Sequence, residues 1–175
     1  MPAARLLPRI LAVAALWAYA ASAGAEELPE YRLKAGFLYN FMVFTEWPAE
    51  VGTTLNLCIL GQDPFGAEID ALIDRPISGR RIIVQRLASR KSLTDCQVLF
   101  ITRSEIPALP AVHEAVGGRP VLTVADSPNA AAEGVAINME VRDSKISFEV
   151  NLRLVQSARL KLSSKLLHLA KEVYR

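Results

Sequence analysis

Leu55-Asn56-Leu57-Cys58-Ile59-Leu60-Gly61-Gln62-Asp63-Pro64-Phe65-Gly66 is the stretch on which the fold turns. Residues 55–60 are apolar but for Asn56, the length and character of a buried strand, and glycine and proline punctuate residues 61–66. Asp63 suits a helix N-cap and Pro64 a first helical position, so a helix over residues 64–73 is expected. Strand, tight turn and helix make the repeating unit of an α/β sheet. Helix N-termini also attract anions. Here, however, there is no G-x-G-x-x-G, and no lysine follows Gly66 as a Walker loop requires. The stretch reads as a strand-to-helix turn.

Downstream, the unit recurs. Gly79 opens a second strand over residues 81–87, in which Ile82, Ile83 and Val84 look half to fully buried. A polar connection through Ser89, Arg90 and Lys91 leads to Cys96 and a third strand over 97–101. A helix over 106–116 stops at Gly117-Gly118, and a fourth strand over 121–124 runs into the turn-rich Asp126-Ser127-Pro128-Asn129. Residues 134–139 and 145–150, separated by Arg142-Asp143-Ser144, predict a hairpin. Asn151 then caps a helix to about residue 158, residues 160–162 interrupt it, and Ser163 caps a last helix to about residue 173.

Upstream, residues 28–47 predict a long helix closed by Pro48. Leu33, Phe37, Phe41 and Phe44 recur at helical spacing, Leu38, Met42 and Thr45 widen the stripe, and Arg32, Lys34 and Glu46 are expected in solvent. The aromatic face reads first as core, with a partner surface as the alternative. The whole order predicts one α/β domain over residues 26–175. Its sheet is mainly parallel and flanked by helices, with an antiparallel C-terminal edge hairpin.

The first 25 residues precede this pattern and read as a secretory signal. Arg5 and Arg9 form its positive region, residues 10–21 its apolar region, and Ala23-Gly24-Ala25 its cleavage site, with cleavage after Ala23 as the alternative. The apolar run falls short of the roughly 20 residues that span a bilayer. The expected location is the periplasm. Without Arg5 and Arg9 the chain carries 18 basic and 18 acidic residues, so it has no electrostatic footprint for nucleic acid or anionic lipid. No transmembrane segment is expected in the processed chain.

Two cysteines, Cys58 and Cys96, read first as a disulfide in an exported protein, with two buried thiols as the alternative. Closing a loop of about 38 residues stabilises by roughly 4 kcal/mol in the chain-entropy model. Neither cysteine belongs to a C-x-x-C or has a nearby histidine, so no metal site is assigned. The two histidines, His113 and His168, fall in expected helices, and there is no Gly-x-Ser-x-Gly elbow. No catalytic residue and no cofactor is assigned. Open α/β sheets take ligands beyond the carboxyl ends of their strands, where the strand order switches. That rule makes Gly61, Asp63, Arg103 and Asp126 the ligand-pocket candidates, whatever the ligand.

Several segments, in order along the chain, resemble the YfiR-like family of periplasmic regulators. They are residues 35–41 with 44–48, then 60–66, 95–101, 121–126, 146–152 and 163–167. The resemblance implies a non-enzymatic α/β domain that sequesters the periplasmic sensor of an inner-membrane diguanylate cyclase, with redox state or envelope stress relieving the hold. It matches Cys58 and Cys96 to a family disulfide, and it implies a homodimer. The best-known members carry a second cysteine pair before the C-terminal β run, and residues 130–139 here contain none. Phe37 and Phe41 of the first helix, with Leu166, Leu167 and Leu169 of the last, are the expected partner-binding residues. A periplasmic small-molecule sensor signalling to another membrane protein, such as a histidine kinase, is the alternative.

Overall fold

The structure, a computed structural model, describes residues 27–142 and 145–175. The expected signal segment and residues 143–144 of the expected hairpin turn lie outside the described residues. Helix α1 (Glu27–Val43) is followed by the short β1 (Thr45–Glu46) and the first long strand, β2 (Thr54–Leu60). Then come α2 (Ala67–Asp70), β3 (Pro76–Ile77), β4 (Arg80–Leu87), a 3₁₀ segment (Arg90–Asp95) and β5 (Val98–Ile101). A second 3₁₀ segment (Arg103–Ala108) leads into α3 (Leu109–Val116), β6 (Leu122–Ala125) and α4 (Ala130–Glu133). The chain closes with β7 (Ile137–Arg142), β8 (Lys145–Asn151), α5 (Leu152–Ser157), β9 (Lys161–Leu162), α6 (Ser164–Leu169) and β10 (Glu172–Tyr174).

Eight strands form one sheet in the order β10-β8-β7-β6-β5-β2-β4-β3. The ladders from β4 through β2, β5 and β6 to β7 are parallel, β7 and β8 form the expected antiparallel hairpin, and β3 pairs antiparallel to β4 at one edge. The expected α/β fold with a mainly parallel sheet therefore stands. Strand β2 is buried on both faces, which is why its sequence reads as a continuous apolar run. Leu55, Leu57 and Ile59 enter one core with Leu38, Phe41, Met42, Phe100 and Phe148. Cys58 and Leu60 enter the other with Cys96, Leu99, Leu109 and Val112. Cys58 and Cys96 are disulfide-bonded, with Cα atoms 5.8 Å apart.

Several element boundaries differ from those the sequence predicts. Helix α1 ends at Val43, not residue 47, because Thr45 and Glu46 leave it to pair with Leu162 and Lys161 of β9. Asp63 does not cap a long helix. Its Oδ1 accepts from the Phe65 N–H at 2.7 Å in a local turn, and only Ala67–Asp70 is helical. Ile83 is exposed, since β4 has little covering its second face. The final segment, expected as helix to about residue 173, ends at Leu169, and residues 172–174 become β10, parallel to β8. Asn151 and Ser163 do cap helices, each side chain accepting an N–H at 3.3 Å.

Phe41 is fully buried, its ring 5.1 Å from that of Phe148 and 6.0 Å from that of Phe37. Phe41→Ala is expected to lower unfolding stability in urea by about 3–5 kcal/mol. Leu169→Ala, at a residue 71% exposed, is expected to change it by less than about 0.5 kcal/mol. Equal losses would mean that the two helices are packed otherwise.

Candidate functional site

Because β4 lies on one side of β2 and β5 on the other, the strand order reverses beside β2. The chain therefore diverges beyond the carboxyl ends of β2 and β5, leaving a crevice of the kind that open α/β sheets use for ligands. That crevice holds a cleft of about 470 Å³ lined by Gln62, Asp63 and Pro64 after β2, Thr102, Arg103 and Ser104 after β5, and Asp126 after β6. The first turns of α1 supply Glu30 and Tyr31 as the remaining wall. A second lobe of about 340 Å³ shares Glu30, Arg103 and Asp126, and adds Lys34, Ser127 and the end of β7.

Each strand-end residue has a definite place. Gly61 has φ +93°, and a Cβ there would lie 2.2 Å from Thr102 Oγ1, so only glycine lets the two loops meet. Thr102 Oγ1 donates to the Leu60 carbonyl at 2.8 Å and lies 3.0 Å from Ser104 Oγ. Asp63 is held by Arg86, whose Nε donates to Oδ2 at 2.7 Å. Arg103 is exposed and forms no ion pair among the described residues.

Asp126 is the hub. Its Oδ2 accepts from Lys34 Nζ at 2.6 Å and from the Tyr31 hydroxyl at 3.0 Å. Lys34 also meets Glu30 Oε1 at 2.5 Å, and its ammonium sits 4.4 Å from the centre of the Tyr31 ring. Lys34, expected in solvent, is only 3% exposed, because helix α1 lays its first turns over the loop after β6. Two carboxylates and an aromatic face compensate its burial. Burial first, and then the neighbouring Asp126 charge that also accepts its proton, push the Tyr31 phenol well above its ordinary value.

The structure thus brings Asp63, Arg103 and Asp126 to one cleft, with Gly61 beside it. Sequence reasoning missed Glu30, Tyr31 and Lys34. The available signal was the i,i+4 spacing of Glu30 and Lys34, which reads equally well as an exposed helix pair. The partner-binding candidates are divided. Phe41 and Leu166 are buried in the core, Phe37 and Leu167 are half-buried, and Leu169 is open to solvent. In this packing, Phe41 and Leu166 act as anchors beneath the surface and present no contact area of their own. His113 Nε2 lies 2.6 Å from the Gly134 carbonyl, a contact between α3 and the start of the hairpin. Among the described residues, no group of three metal-ligating side chains gathers, and no helix is long and apolar enough to cross a membrane.

Fold and site together define a two-sided α/β domain with a polar cleft at its switch point. The profile of the YfiR/HmsC-like family matches residues 31–171, and the chain belongs to that family, which is regulatory and non-catalytic. No curated protein sequence matches. Among solved structures, the chain is similar to the ABC domain in complex with L-Trp from Streptococcus pneumonia. That similarity has a TM-score of 0.50 and 8% identity over 68% of this chain. The chain spans 55% of the length of that structure, and at this identity the likeness concerns the fold alone.

Lys34→Met leaves Asp126 buried without its cation and is expected to lower stability by about 3–5 kcal/mol. The paired change Lys34→Met with Asp126→Leu should recover most of that loss, and purely additive losses would show that the pair is not coupled. Tyr31 offers a pH test. The folded phenol holds its proton more tightly than the unfolded one, so its contribution is complete below about pH 10 and fades as the pH rises further. Tyr31→Phe should therefore be less stable than the parent at pH 8, and the gap measured by urea melts should narrow above pH 10. A gap independent of pH would separate the phenol from Asp126.

Proposed function

We propose that this chain is a periplasmic regulator that binds the periplasmic sensor of an inner-membrane diguanylate cyclase and holds the enzyme inactive, lowering cyclic-di-GMP. The family match over residues 31–171 carries this reading. The expected signal segment over residues 1–25 is what would deliver the chain to the periplasm. Repression by binding needs no chemistry in the repressor. A protein that prefers the inactive cyclase shifts the population by its difference in affinity for the two states, and each tenfold preference is worth about 1.4 kcal/mol.

For the contact we favour the open sides of α6 and α1. Leu169 is 71% exposed on α6 and Leu33 is 53% exposed on α1, while Phe37 and Leu167 are half-buried. Leu166 and Phe41 beneath them hold the two helices on the core. The same helices would serve a homodimer. A second reading, a periplasmic small-molecule sensor, is favoured by one observation, the cleft of about 470 Å³ at the strand ends.

The test is calorimetry of the processed chain, disulfide intact, against the periplasmic segment of a cyclase encoded beside it. Binding at micromolar concentration or tighter, about −8 kcal/mol, is expected. Leu169→Arg should weaken it at least tenfold while leaving the melting temperature unchanged. A folded, oxidised chain that does not bind would discard the repressor in favour of the sensor.

A further inference from the structure

We infer that the two-lobed cleft at the strand ends is a binding site for a small molecule carrying an oxyanion, a carboxylate or a phosphate, seated on Arg103. The inference deepens the sensor reading and does not depend on the cyclase.

The charges around the cleft carry the argument. Glu30 and Asp126 share Lys34, Asp63 is paired with Arg86, and Glu140 is paired with Lys171 and Arg142. Every acid in the two lobes thus touches a cation of the chain itself, Glu30 and Asp126 through the same lysine. Arg103, which lines both lobes, has no such partner among the described residues. Its guanidinium donors are therefore open to a ligand from both lobes. A ligand cation would meet Lys34 and Arg103 and two carboxylates already engaged. A guanidinium, by contrast, presents a planar fork of donors matched to carboxylate or phosphate oxygens.

Two neighbouring hydroxyls border the same cleft. With the Thr102 proton committed to the Leu60 carbonyl, the exposed Ser104 hydroxyl is the donor in its 3.0 Å contact with Thr102 Oγ1, and it turns that proton to a ligand only by giving the contact up. In the second lobe, Ser127 is only 3% exposed, and its Oγ has no hydrogen-bond partner among the described residues. Asn138 Nδ2 is in the same state, while Asn138 Oδ1 accepts from the Ser127 N–H at 3.2 Å. Both atoms are closed off from solvent and Asn138 does not line the lobe, so a ligand there meets Ser127 first and reaches its hydroxyl only if that side chain turns outward. Lobes of about 470 and 340 Å³ fall within the usual range for small-molecule sites. The half-buried Tyr31 gives the first lobe an aromatic wall, so the ligand is expected to carry an apolar or planar body behind its anionic head.

The test is a titration of the full processed chain with succinate and, separately, with inorganic phosphate, at matched ionic strength, followed by ¹H–¹⁵N spectra. Saturable shifts at the Arg103 side-chain N–H and at the Ser104 and Ser127 amides are expected for at least one probe, and the probe that binds tells a carboxylate ligand from a phosphate. Arg103→Gln should weaken that binding at least tenfold with an unchanged melting curve. Lys165→Gln, on exposed α6, should leave it unchanged. No saturable shift with either probe would overturn the site, as would equal affinity in Arg103→Gln or an equal loss in Lys165→Gln. Cyclase binding is read separately by calorimetry, so failure of the anion site and failure of the repressor reading are distinguishable.

Discussion

The two-sided burial of β2 is the constraint on which the rest of the molecule depends. Leu55, Leu57 and Ile59 face one core while Cys58 and Leu60 face the other. A parallel strand with both faces apolar has to be covered on both sides. Helices α1, α5 and α6 cover one face, and α3 with the Arg90–Asp95 segment covers the other. The disulfide lies on the second side, fixing Cys58 within β2 to Cys96, which precedes β5. The same strand has neighbours on either side that are reached by connections running opposite ways, and this opens the cleft. Stability and site have one origin.

How much of this the sequence discloses depends on how local the cause is. Strands β2, β5 and β6 are legible because each is an apolar run bounded by glycine, proline or aspartate. The β7–β8 hairpin is legible because its two runs are adjacent. Strand β10 is not: Glu172, Val173 and Tyr174 follow a helical pattern, and only the free edge of β8 makes them a strand. Thr45 and Glu46 are misread for the same reason. Their partners in β9 are more than a hundred residues away, and no local propensity announces that pairing.

The site shows the same division. A topological rule finds Gly61, Asp63, Arg103 and Asp126, because each follows a recognisable strand. It cannot find Tyr31 or Lys34, which reach Asp126 across 95 and 92 residues. A lysine flanked by arginine, leucine and glutamate at helical spacing reads as a surface cation. What buries it is the packing of the first turns of α1 on the loop after β6, a contact distant in sequence. Further along the same helix, Phe37 and Phe41 pack on Phe148.

The chain also closes upon itself from end to end. Phe41 rests on Phe148, β1 pairs with β9, and the Ser163 N–H donates to the Phe44 carbonyl at 2.9 Å. A polypeptide leaves a ribosome or a translocation channel from its N-terminus, so the phenylalanine-rich helix emerges long before the residues that shelter it. Contacts this distant in sequence close slowly, and apolar surface waiting for them is prone to aggregate. During that interval the apolar side of the helix lacks the cover that residues 148–163 later provide. The contacts that give the finished domain its cohesion thus leave its first helix waiting until residues 148–163 have emerged.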